Sequence, residues 1–109
     1  NMSPMIIETN KGISTIGSPG ADRISSALGQ VILNFSHTND WRQSINKPRF
    51  HINSDGTVRC EPGADNKFEN EIVTNPDDMY FGGVCVTGLY DKLFSYGDPR
   101  RGNSSWSNV

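Results

Sequence analysis

The sequence is short of almost everything a self-sufficient globular core uses. Ile, Leu, Val and Phe together supply 24 of its 109 residues, just above the level at which chains tend to stay unfolded. No apolar run exceeds a few residues, so none can cross a bilayer as a helix. Basic charge is scarce as well: 10 Lys and Arg against 12 Asp and Glu leave a net charge of −2. Phosphate-backbone binding and polybasic membrane attachment both need clustered positive charge, so neither nucleic acid nor membrane is expected as a partner.

Cysteine is rare. Cys60 and Cys85 are too few for a disulfide-dense scaffold and too far apart for a C-x-x-C motif. His37 and His51 complete the set of soft metal ligands, but zinc sites usually present ligands in pairs two to four residues apart. No such pair occurs, so neither metal nor cofactor is expected, and the cysteines read as small apolar packing groups in a reducing cytoplasm. G-x-S-x-G, H-E-x-x-H and phosphate-loop motifs are missing. Ser36, His37 and Asp40 are sequence neighbours, whereas a triad needs groups converging from separate elements. Asp77 and Asp78 would point to opposite faces if extended, a poor glycosidase pair. No basic-then-apolar leader opens the chain; starting at Asn1, it is expected to be a fragment of something longer.

Small turn-forming residues are what the chain has in quantity: Asn, Ser and Gly number 34. No window longer than ten residues holds apolar side chains at helical spacing free of Gly or Pro. Strand-like alternation is clearer. Val31, Leu33 and Phe35 alternate with Gln30, Ile32, Asn34 and Ser36, and Phe50 and Ile52 alternate with Arg49, His51 and Asn53. Ser54-Asp55-Gly56 then reads as a tight turn into Thr57–Cys60. Ile6-Ile7 and Ile13–Ile16 flank Asn10-Lys11-Gly12, and Val84, Val86 and Leu89 suggest a further strand. Pro19-Gly20-Ala21-Asp22 recurs as Pro62-Gly63-Ala64-Asp65, an echo that suits stacked units. The expected fold class is mostly β, with a core too sparse for a monomer and apolar side chains buried against other copies.

Particular segments carry a resemblance. Phe50–Val58 followed by Pro62–Asn66, and the stretch Ser95–Val109 with its Trp106, resemble the C-terminal stalks of bacteriophage tail fibres and tailspikes, upstream of a self-cleaving chaperone domain. The resemblance implies an elongated homotrimeric stalk, a triple β-helix of intertwined short strands, with 1–109 as a single module divisible near 1–48 and 49–109. It implies a non-catalytic structural and host-adhesion role in the virion, the protein being made in the bacterial host cytoplasm. A capsule-degrading, endosialidase-type glycosidase is the alternative, the stalk then assisting cleavage of its polymer.

Host surface polysaccharide is the partner this reading implies. His37, Asn39, Trp41, Arg42 and Gln43 put an aromatic face beside planar hydrogen-bond donors and a cation, as an acidic sugar requires. Arg49 and His51 are expected to alternate outward on the next strand and join them. The competing reading packs Trp41 into the axis of the trimer and pairs Arg42 with Asp40 on the surface.

Overall fold

A computed structural model describes residues 4–19, 23–64, 71–74, 79–101 and 105–107, the last as backbone only. Its principal element is a helix the composition concealed, α1 (Ile24–Thr38). Ile24, Ala27, Leu28, Val31 and Phe35 are its buried residues, spaced i, i+3, i+4, i+7 and i+11 along one stripe. Gly29, on the exposed side of the helix, costs about 1 kcal/mol relative to Ala, which burial of five apolar side chains outweighs. A strand over Val31, Leu33 and Phe35 is therefore overturned: Val31 is fully buried while Leu33 is 59% exposed. The helix ends on Asn39, left-handed at φ 55°, whose N–H reaches the Phe35 carbonyl at 2.8 Å. Asp40 then caps α2 (Trp41–Asn46) by accepting the Gln43 N–H at 3.1 Å.

The strands in chain order are β1 (Met5–Thr9), β2 (Gly12–Gly17), β3 (Phe50–Ile52), β4 (Val58–Cys60), β5 (Glu71–Val73), β6 (Cys85–Leu89), β7 (Leu93–Tyr96) and β8 (Ser105–Ser107). Five of them form an antiparallel sheet ordered β1-β2-β6-β7-β8. The other three form a small sheet in which β3 and β4 are antiparallel around the Ser54-Asp55-Gly56 turn and β5 joins β4 in parallel. Period two decides the faces. Ser14, Ile16, Val86 and Phe94 are buried on the side that shares the core with Ile24, Leu28, Val31, Phe35, Trp41 and Ile45. On the opposite side Ile13, Leu89 and Leu93 stand across from one another in register, and all three are exposed.

This arrangement corrects the expected fold class. The chain is an α/β globule of two sheets and helices with a core closed by its own residues, not an elongated triple β-helix. Its radius of gyration is 14.1 Å, against about 13 Å for a compact domain of this length. The Pro-Gly-Ala-Asp echo lies only in part within the described residues. Its first copy leads toward α1 and its second follows β4, and Gly20, Ala21, Asp22 and Asp65 lie outside the described residues.

Four buried ionic groups tie the two sheets together. Asp98 accepts from the Arg49 guanidinium at 2.7 Å and from Arg100 at 2.9 Å, and Arg100 reaches Glu61 at 2.6 Å. Asp98 also takes the N–H of Val84 at 2.8 Å and of Arg100 at 3.0 Å. The network is charge-balanced, and Arg49 donates further to the carbonyls of Phe81 and Ile45. Desolvation holds the Arg49 guanidinium below its ordinary value despite Asp98. Arg100 suffers desolvation too, but hydrogen bonds and charge from Glu61 and Asp98 outweigh it and raise its value. Arg49 was expected outward on β3; it precedes the strand and is 1% exposed.

Candidate functional site

Aromatic and cationic side chains gather at the start of α1. Tyr80, in the 3-10 turn Met79–Phe81, is the centre of the group. The Arg23 guanidinium carbon lies 4.2 Å from the centre of its ring, and that of Arg59, from β4, lies 5.0 Å away. Arg23 Nε donates to the Tyr80 carbonyl at 2.6 Å, and the Tyr80 hydroxyl donates to Asn53 Oδ1 at 2.8 Å. Both contacts fix the ring against which the two cations rest. Neither arginine makes an ion pair with a carboxylate among the described residues. Two cations on one ring repel each other, and an anion bound nearby would offset that repulsion.

Ser26 and His51 stand beside this group. Ser26 Oγ, in the first turn of α1, lies 2.7 Å from Nδ1 of His51 on β3, whose ring meets Tyr80 edge-on at 6.2 Å. The contact permits proton exchange between hydroxyl and imidazole and offers neutral hydrogen-bonding groups next to the cations. Close by, Ser18 is buried and accepts the Gly83 N–H at 3.2 Å. Gly82, at φ +79°, is packed so closely that an added Cβ would come within 2.6 Å of Ser18 Oγ. The Asp98 bond to the Val84 N–H ties the buried ionic network to the segment that follows Gly82 and Gly83.

The seven residues singled out from the sequence do not assemble as one surface. His51 belongs to the Tyr80 group. Arg49 is internal. His37, Asn39, Trp41, Arg42 and Gln43 lie at the far end of α1 and the start of α2. There Trp41 is 3% exposed, its ring stacked on Phe35 at 3.8 Å and its Nε1 donating to the Tyr90 hydroxyl at 3.0 Å. Arg42 rests on the Tyr96 ring at 4.8 Å, while His37 and Gln43 are exposed. Asp77 and Asp78 lie outside the described residues. Arg23, Arg59 and Tyr80 escaped sequence reasoning because they come from three elements separated by more than thirty positions from the first to the second. No group of three or more His, Cys, Asp or Glu among the described residues could hold a metal ion.

Comparison with solved structures returns the same fold. Two crystal structures of the Bacillus anthracis transpeptidase enzyme CapD superpose with TM-scores of 0.79 and 0.80. In each, 24% of aligned residues are identical, and the match covers 98% of this chain and 70% of that one. At that identity the likeness shows a shared fold. The sequence profile of the gamma-glutamyltranspeptidase family matches residues 1–105, and the chain belongs to that family. No curated protein gave a significant match.

Membership overturns the tail-fibre resemblance and what it implied. The family is one of enzymes, so the non-catalytic adhesion role, the endosialidase alternative and the virion location fall with it. The short turn sequences that carried the resemblance are common to many folds: Asn53–Val58 is a hairpin corner within an α/β unit.

Proposed function

We propose that this chain forms part of an enzyme that transfers γ-glutamyl groups, and that Arg23 and Arg59 recognise the donor's free carboxylate. A glutamyl group linked through its side-chain carbonyl keeps its α-carboxylate and α-amine unmodified, so a donor of this class carries an obligatory anion. Transfer means attack on the side-chain carbonyl, departure of the first amine, and displacement of the acyl group by a second amine or by water. The match to the family over residues 1–105 carries this reading. It is supported by the two guanidinium groups on Tyr80, neither of which makes a close ion pair with a described carboxylate, although Arg59 lies near enough to Asp55 to feel its charge. Their chemistry suits a planar, bidentate acceptor.

The test is steady-state kinetics of the purified protein with a chromogenic γ-glutamyl anilide. Arg23→Gln and Arg59→Gln should each raise KM by about tenfold or more, as loss of a charged hydrogen bond of ~1.5–3 kcal/mol requires, with kcat changed far less. A γ-aminobutyryl anilide, which keeps the amine but lacks the α-carboxylate, should be insensitive to both substitutions. Equal KM values for wild type and variants on the glutamyl donor would refute the assignment.

A further inference from the structure

A second site lies at the opposite end of α1, roughly 18 Å away by the helical rise from Ser26 to Thr38. A cleft of about 490 Å³ opens there between the β1–β2 turn, the α1–α2 junction and the β6–β7 turn. This falls within the range of small-molecule sites. Tyr90 and Tyr96 give it aromatic surface, with the buried Trp41 and Phe94 behind them. That surface is fixed: Trp41 Nε1 and Ser14 Oγ both donate to the Tyr90 hydroxyl, at 3.0 and 3.1 Å, and Tyr90 meets Phe94 edge-on at 5.1 Å.

Lys11 and Asp40 line the same cleft with opposite charges. They do not pair with each other, and neither makes an ion pair with any other described residue. Their separation is built in. Lys11 sits in a two-residue turn whose next residue, Gly12, has φ +153° and presses on the backbone of Leu89 and Tyr90, so closely that an added Cβ would collide there. Asp40 is held at the helix start by its bond to the Gln43 N–H, which uses Oδ1. An ammonium and a carboxylate thus face one aromatic-walled space from two rigid turns.

We infer that this cleft binds a free amino acid or short peptide as its zwitterion, the ligand carboxylate toward Lys11, its ammonium toward Asp40 and an aromatic or large apolar side chain against the Tyr90 wall. The inference rests on the cleft alone and does not depend on the transfer reaction. Backbone amide spectra of the protein titrated with L-phenylalanine, N-acetyl-L-phenylalanine and L-phenylalaninamide test it. L-Phenylalanine at millimolar concentration should shift signals of Lys11, Asn39, Asp40 and Tyr90, and each blocked analogue should bind about two- to fivefold more weakly, as exposed charge pairs do. Lys11→Gln should weaken phenylalanine and its acetyl form but leave the amide unchanged. Asp40→Asn, which keeps a side-chain oxygen for the helix cap, should weaken phenylalanine and the amide but leave the acetyl form unchanged. Both positions are exposed, so unchanged melting temperatures are expected to accompany these losses. Equal binding of the three probes, or no shifts confined to the cleft, would overturn the inference.

Discussion

Removing the Asp98 carboxylate should be among the most damaging single changes this chain can suffer. Asp98 is 1% exposed and accepts four hydrogen bonds, from the Arg49 and Arg100 side chains and from the N–H groups of Val84 and Arg100. In Asp98→Ala the Arg49 guanidinium stays buried without the carboxylate it pairs with, and the Val84 N–H loses its acceptor. Breaking a buried ion pair from one side costs about 3–5 kcal/mol. A domain of this size has only about 5–15 kcal/mol in total, so the variant should be near the edge of folding at room temperature. Urea unfolding followed by tryptophan fluorescence measures the loss, provided the slope with denaturant is unchanged. The double variant Asp98→Ala with Arg49→Met should lose less than Asp98→Ala alone, because no charge is then stranded in the interior. A loss below about 1 kcal/mol for the single variant, or a double variant no better than it, would refute the account of the network as a charge-balanced anchor.

Other expectations follow from the same structure. Leu28→Ala should cost about 2–5 kcal/mol and Leu33→Ala under about 0.5 kcal/mol in chemical unfolding; the reverse order would mean that the buried stripe of α1 is misassigned. Asp55 is held below the ordinary carboxylate value chiefly by the Thr57 hydroxyl, with the Thr57 N–H adding to it. Because its folded value is depressed, its contribution to stability is present above the unfolded value of about 3.9 and fades as pH falls through the lower folded one. Thr57→Val should therefore move the Asp55 titration, followed by carboxyl carbon shifts, back up toward the ordinary range. Gly12→Ala should destabilise by more than the roughly 0.5 kcal/mol of an ordinary surface change and broaden signals along β1 and β2 in amide spectra. A variant as stable as wild type would mean that the turn does not press on Tyr90 as described.

The sequence alone determined what depends on neighbours along the chain. The Ser54-Asp55-Gly56 corner, the Asn10-Lys11 turn and the strand around Val86 were legible because turn chemistry and period-two alternation are local. Helix α1 was encoded just as locally, in Ile24, Ala27, Leu28, Val31 and Phe35, but Gly29 broke the pattern that a search for uninterrupted apolar spacing depends on. The low aliphatic count misled for a different reason. Burial here is shared with Trp41, with small residues such as Ala27, Ser14 and Ser44, and with a four-group ionic network, none of which a count of Ile, Leu, Val and Phe includes. Only the tertiary structure decided that Arg49 is internal, that Arg23 and Arg59 meet on Tyr80, and that Lys11 faces Asp40 across a cleft. Each of these joins residues from separate elements, and the pairing of distant elements is set by how strands and helix pack together rather than by any spacing along the chain.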